Sequence, residues 1–305
     1  MTKTVAPAKH NYPRAAFYAL SGFTGWVFSD ALTKLVRAEG VPQGQILLIV
    51  GLSGMVVIFL LSALRGKINR LQPRNPLGLF ALGLCQWFAY ICWLAALPNL
   101  PLANMYVVAF LTPMAVAALA ALILKEHLGW KRGVAIGCGF AGVVVAVNPV
   151  GLIHNTGQWA AYFAVFGSMA GTSAQMLVLR IVSQKEASEC TSFYPRAVVL
   201  AAGAIACAST GFVAMKPWVF MALCGSGALG ALGWALMAKA YKNAPAAAVA
   251  PFHYSQMITG AILGYLIWDN VPSLWLIGGA AIIISSGIYL VRHERRASRT
   301  LSRTD

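Results

Sequence analysis

Asn99-Leu100-Pro101-Leu102-Ala103 opens an apolar run from about 104 to 123 that closes in Lys125-Glu126, and Asn243-Ala244-Pro245-Ala246-Ala247 opens a matching run to about 268 that closes in Asp269. An offset of 144 superposes Asn99 on Asn243, Pro101 on Pro245 and Ala103 on Ala247, and an offset of 143 puts Glu126 on Asp269. A glycine-rich run follows each copy. Upstream, Gly25 and Lys34 fall on Gly171 and Arg180 at an offset of 146. Drift of this size is what a few loop insertions produce. The chain therefore reads as two copies of one unit, residues 1–150 and 151–305, the second ending in a basic tail.

Composition sets the solvent for those copies. The chain is 59% hydrophobic and only 10% charged, with a mean hydropathy of +0.71. A soluble domain carries about 25% charged residues, so this chain cannot cover a water-facing surface. A bilayer core of about 30 Å takes roughly 20 apolar residues per helix. Runs of that kind fill nearly the whole sequence, at roughly 14–37, 43–64, 76–97, 101–123, 130–149, 157–182, 190–213, 217–239, 244–268 and 271–292. Backbone groups in lipid must bond within their own segment, so each of these ten spans is expected to be a helix. Gly, Pro and Asn punctuate the connections, as in Gly40-Val41-Pro42 and Pro73-Arg74-Asn75-Pro76. The first apolar run is too long for a cleaved signal peptide and no small-residue cleavage site follows it.

The net charge of +15 is explained by its placement. With the N-terminus inside, nineteen of the 23 Lys and Arg residues fall on the cytoplasmic side, and only Lys34, Arg37 and Lys216 on the other. The positive-inside rule then puts both termini in the cytoplasm of a cell inner (plasma) membrane protein. The basic residues face lipid headgroups, and no nucleic acid is needed as a partner. Five spans per copy is an odd number, so the second copy enters from the opposite side. The expected fold is all-α, with ten transmembrane helices in two inverted five-helix repeats, an arrangement that secondary transporters use to hold a site near mid-membrane.

Ten spans in two repeats, with Leu124-Lys125-Glu126 ahead of Gly133, Gly137, Gly139 and Gly142, resemble the drug/metabolite transporter superfamily and the repeat unit of its EamA branch. The second copy departs from that pattern, with Trp268-Asp269-Asn270 and Pro272 where Gly-Glu is usual and its glycines displaced to Gly278-Gly279. Within the family, the aromatic-rich character is most similar to the bacterial inner-membrane exporters of aromatic amino acids. The resemblance implies a secondary exporter of small organic solutes and gives Glu126 a structural place at the end of the fourth span.

The pathway candidates come from mid-span aromatic and polar residues. Span 3 carries Trp87, Tyr90 and Trp93 near one face, and spans 1 and 8 carry Trp26 and Trp234. Interfacial belts account for Trp and Tyr at helix ends but not at mid-depth. Such rings suit an aromatic solute, and packing between helices would account for them equally. Span 9 is the most polar in its middle, with His253 and Gln256 sharing a face after Pro251. Span 4 places Thr112-Pro113 near its centre, where the proline is expected to kink the helix. Interhelical hydrogen bonding is the plain alternative for all of these polar groups. Spans 5 and 10 have almost no polar side chain at mid-depth. The pathway is therefore assigned to spans 1, 3, 4, 6, 8 and 9.

Charges restrict the mechanism. Asp30 and Lys34 are four apart in span 1 and can pair on one face. Arg196 lies a turn or two into span 7 after Pro195, where it either snorkels to the surface or attracts a solute carboxylate. Only Asp30 and His253 could carry a coupling proton, which favours transport down the solute's own gradient. The six cysteines all fall inside spans with no metal-ligand spacing, and no Walker A loop is present, so no metal or cofactor is expected. Gly133-xxx-Gly137 is a close-packing motif that would join the halves or two protomers, leaving a monomer as one of two outcomes. The leading reading is an exporter of aromatic or other amphipathic amino acids working by alternating access. An intramembrane enzyme, or an exporter of other metabolites or drugs, is the alternative. An enzyme would need a nucleophile beside a base, and His253, the only deep histidine, has no GxSxG partner.

Overall fold

The computed structural model describes residues 11–123, 130–148, 157–243 and 249–301, and every regular element among them is helical. Glu126, Lys125 and the second-copy motif from Ala244 to Ala247 lie outside the described residues. The elements are α1 (Tyr12–Ala38), α2 (Gln43–Leu64), α3 (Pro76–Ala96), α4 (Leu102–Ala109), α5 (Thr112–Ile123), α6 (Trp130–Val147), α7 (Gly157–Val182), α8 (Ser188–Thr210), α9 (Pro217–Asn243), α10 (Ser255–Trp268) and α11 (Leu274–Leu301). Short 3₁₀ turns lie at Ile68–Leu71 and Ala250–Tyr254.

Five helices, α2, α3, α7, α8 and α9, are long and apolar enough to cross a membrane by length and composition alone. The other expected spans fall short of that measure for readable reasons. α1 has 27 residues but carries Arg14, Asp30, Lys34 and Arg37. Span 4 is divided at Phe110-Leu111 into α4 and α5, and span 9 begins with the Ala250–Tyr254 turn before α10.

The break in span 4 follows from Pro113, which cannot donate to the carbonyl four residues back. That carbonyl belongs to Ala109, and the Thr112 hydroxyl donates to it at 2.6 Å. Asn11 and Asn75 cap α1 and α3, each accepting from the backbone N–H three residues on, with a proline in the first turn.

Packing joins the halves helix by helix. α1 runs along α9, α2 along α8, α3 along α7, α6 along α11, and α4 against α10. Secondary contacts join α2 to α9, α3 to α8, α1 to α10, and α4 and α5 to α7. Exchanging span n of one half for span n of the other leaves this set of pairs unchanged. The close approaches are made at glycines. Gly22 and Gly233 let α1 meet α9, while Gly142 and Gly279 let α6 meet α11. Gly137, expected in a close-packing motif, has open space around it and is exposed, so Gly139 and Gly142 form the seam instead. Gly137 and Gly139 stand about 200° apart round the helix, so Gly137 does not join the halves, and spacing alone does not say which face a glycine occupies.

Candidate functional site

A cavity of about 310 Å³ lies between the halves, which is within the range of small-molecule sites. Its wall takes Trp26, Ser29 and Asp30 from α1, Gln86, Tyr90 and Trp93 from α3, and Tyr106 and Thr112 from span 4. The other half supplies Thr172, Gln175 and Met176 from α7, Arg196 from α8, Ser226, Gly230 and Trp234 from α9, and His253 and Gln256 from span 9. Of the expected site residues, Trp26, Asp30, Tyr90, Thr112, Arg196, Trp234, His253 and Gln256 are thus brought to one space. Trp87 is not on this wall: α3 faces the cavity with the stripe Gln86, Ala89, Tyr90 and Trp93, and Trp87 packs against the apolar core instead. Span 3 was read with its aromatic face about a sixth of a turn out of place. Spans 2 and 7 also reach the wall, through Val50, Gly51, Thr191 and Arg196, and among the described residues none of spans 5 and 10 lines it.

One end of the cavity is built on Gly230. Its carbonyl accepts from Trp26 Nε1 at 3.0 Å and lies 3.4 Å from Arg196 Nη2, while Arg196 Nη1 donates to the Ser192 carbonyl at 2.5 Å. Trp26 and Trp234 face each other with ring centroids 5.9 Å apart. A turn away, the Ser29, Thr33 and Ser226 hydroxyls bond across the α1–α9 seam at 2.8–2.9 Å.

The other end is built on Asp30. Tyr106 donates its hydroxyl to the Asp30 carboxylate at 2.5 Å, and the Tyr106 ring stands 5.5 Å from Trp93. The expected Asp30–Lys34 pair does not form. Lys34 is buried and donates to the Leu100 carbonyl, with its ammonium 5.2 Å from the centre of the Trp268 ring. Helical spacing brings the two residues to one side, but a nearby carbonyl and an indole face draw the ammonium outward. Trp93 Nε1 is buried in this wall beside the Asp30 carboxylate.

His253 sits between Phe23 and Phe110, with centroids 4.7 and 5.5 Å away. Gln256 is 5% exposed and lines the same space. No group of three or more metal-ligating side chains occurs among the described residues. Ser29, Met176 and Ser226 line the cavity without having been singled out in the sequence, and Trp93 and Tyr106 join the expected site residues on its wall. Trp93 had a usable signal, its place on the α3 aromatic face, whereas the reach of Tyr106 across to Asp30 had none.

The profile of the EamA-like transporter family matches residues 13–148. The S-adenosylmethionine uptake transporter of Rickettsia bellii is 26% identical over 232 residues, covering 75% of this chain and 77% of its own. The riboflavin transporter of Vibrio cholerae is 24% identical over 307 residues, covering 95% and 97%. The pseudopaline exporter of Pseudomonas aeruginosa is 23% identical over 283 residues, covering 90% and 95%. A protein of known crystal structure superposes on 92% of this chain and 98% of its own with a TM-score of 0.63, at 19% identity, a likeness of fold alone.

Proposed function

We propose that this chain, whose residues 13–148 match the EamA-like transporter family, exports small amphipathic organic solutes, aromatic amino acids foremost, through the cavity between its halves. That it transports small metabolites follows from the family and from relatives named for S-adenosylmethionine, riboflavin and pseudopaline. The amino-acid assignment rests on one observation, an aromatic-walled cavity that also holds a carboxylate and a guanidinium. Rings such as Trp26 and Trp234 favour a flat apolar group by about 0.5–1.5 kcal/mol per ring pair beyond burial.

We read residues 1–150 and 151–305 as inverted repeats in the inner membrane with both termini cytoplasmic. The exchange-symmetric pairing of helices supports that reading. Alternating access then consists of the two halves trading arrangements around the cavity. Asp30 is engaged by Tyr106 and His253 is enclosed by rings, which supports movement down the solute's own gradient.

Purified protein in liposomes, assayed for counterflow, tests the assignment. Aromatic amino acids should exchange and should compete with one another. Competition by S-adenosylmethionine or riboflavin with none from any amino acid would overturn the substrate reading. Concentrative uptake driven by a pH step, and lost in Asp30→Asn, would replace facilitated transport with antiport.

A further inference from the structure

We propose that the cavity sorts its solute by charge at its two ends, with Arg196 taking an anionic group and Asp30 taking a cationic group once Tyr106 releases it. The proposal rests on the cavity being the solute site.

Arg196 carries five donors, and the contacts recorded for it are the Ser192 and Gly230 carbonyls. Among the described residues no carboxylate lies within ion-pair distance of it. Asp30 is likewise without a cation. Lys34, the nearest in sequence, is turned to Leu100 and Trp268, so the carboxylate is held by the neutral hydroxyl of Tyr106. A charge taken from water without an opposite partner is costly. Here a guanidinium and a carboxyl group face one space and do not meet.

Arg196 shares the Gly230 carbonyl with Trp26, and Asp30 follows Trp26 by one helical turn on α1. The two groups make no ion pair with each other, which leaves both open to the charged groups of one solute. The rings of Trp26, Tyr90 and Trp234 line the same space, and an apolar side chain would lie against them.

The internal repeat shows that the architecture itself does not require either charge. At the offset of 146 that superposes Gly25 on Gly171, Asp30 corresponds to Met176 and Arg196 to Val50, and all four line the cavity. The same wall positions are therefore filled by apolar side chains in the other half. Each ionisable group stands on one side only, with an apolar side chain at the equivalent position of the other half.

The test uses purified full-length protein and three probes sharing one ring: phenylalanine, the amine lacking its carboxylate, and the acid lacking its amine. Binding is read by tryptophan fluorescence quenching. Arg196→Gln should weaken the two carboxylate-bearing probes by about 10- to 100-fold and leave the amine unchanged. Asp30→Asn should weaken the two amine-bearing probes similarly and leave the acid unchanged. Arg196→Lys should keep the acid preference, which guards against a loss caused by misfolding. Trp234→Ala should weaken all three.

Equal weakening of all three probes by Arg196→Gln or Asp30→Asn, in protein of unchanged thermal stability, would make these residues structural and overturn the proposal. No probe binding in the wild type with counterflow intact would overturn charge sorting alone. Charge-dependent binding without flux would overturn the transport reading alone.

Discussion

The seam between α6 and α11 offers a test in which two adjacent glycines should behave oppositely. A methyl added at Gly279 would land on the Gly142 carbonyl oxygen and 2.5 Å from Ala146 Cβ and N, all on α6. Carbon atoms pack best at about 3.5–4.0 Å. α11 would therefore have to retreat by about 1 Å along a contact that runs most of its apolar length. Overpacking against backbone has no flexible side chain to absorb it and costs about 1–3 kcal/mol. At about 2 kcal/mol, Gly279→Ala should lower the apparent Tm in detergent by roughly 4–8 °C. A methyl added at Gly278 meets nothing within 4 Å and points outward. Gly278→Ala should therefore be neutral, or stabilise by less than about 1 kcal/mol through the unfolded chain. Gly137→Ala, also in open space, is the matching control on α6. Thermal unfolding followed by size-exclusion chromatography gives all three values. Equal Tm values for the Gly278 and Gly279 variants would refute the seam, and with it the separation of spans 5 and 10 from the cavity.

In protein stripped of native thiols, cysteine at Thr112 or Gln256 should react with a water-soluble thiol reagent, and cysteine at Gly137 or Ala281 should not; equal labelling would contradict the cavity assignment. Lys34→Met should free the α3–α4 connection from α1 and raise labelling of a cysteine at Trp93 several-fold, whereas unchanged labelling would show that Lys34 does not hold that connection in place. A C-terminal reporter fusion should be active only for a cytoplasmic reporter, and periplasmic activity would undo the ten-span topology.

What the sequence disclosed was whatever depends on length, periodicity and charge placement. The apolar runs marked the helices, mid-depth polarity marked His253, Gln256 and Thr112, and a charge inside span 7 marked Arg196, all of which reach one wall. What stayed hidden depends on which side of a helix meets its neighbour. Trp87 and Trp93 are both mid-span tryptophans in one helix, and only the rotation of α3 separates a core residue from a cavity residue. Asp30 and Lys34 have the spacing of a pair, yet each finds a partner on another span. Val50 carries no chemical signal at all, so the contribution of span 2 to the wall could not be read from it. The break in span 4 was legible as Pro113, but the hydroxyl that makes it tolerable was not distinguishable from a solute contact.

That hydroxyl connects the repeat to the site. The break in span 4 falls between Phe110 and α5, and the offset of 144 carries Phe110 to Tyr254, the last residue of the 3₁₀ turn that precedes α10. Both copies interrupt the same span at the same place, and the residues just beyond, Thr112 and Gln256, correspond to each other and both face the cavity. The correspondence continues around the wall. Trp26, Ser29 and Asp30 on α1 match Thr172, Gln175 and Met176 on α7 at the offset of 146, and each of the six is a lining residue. A helix in lipid must satisfy its own backbone, so an interruption persists only where it lines a cavity or is packed in protein. Two interruptions at equivalent positions place polar groups on the cavity from both sides. On the repeat proposed above, the shape of the site belongs to the repeated unit. Its charge is carried by Asp30 and Arg196, which the repeat leaves unmatched, and substitutions there should alter selectivity while leaving the shared shape in place.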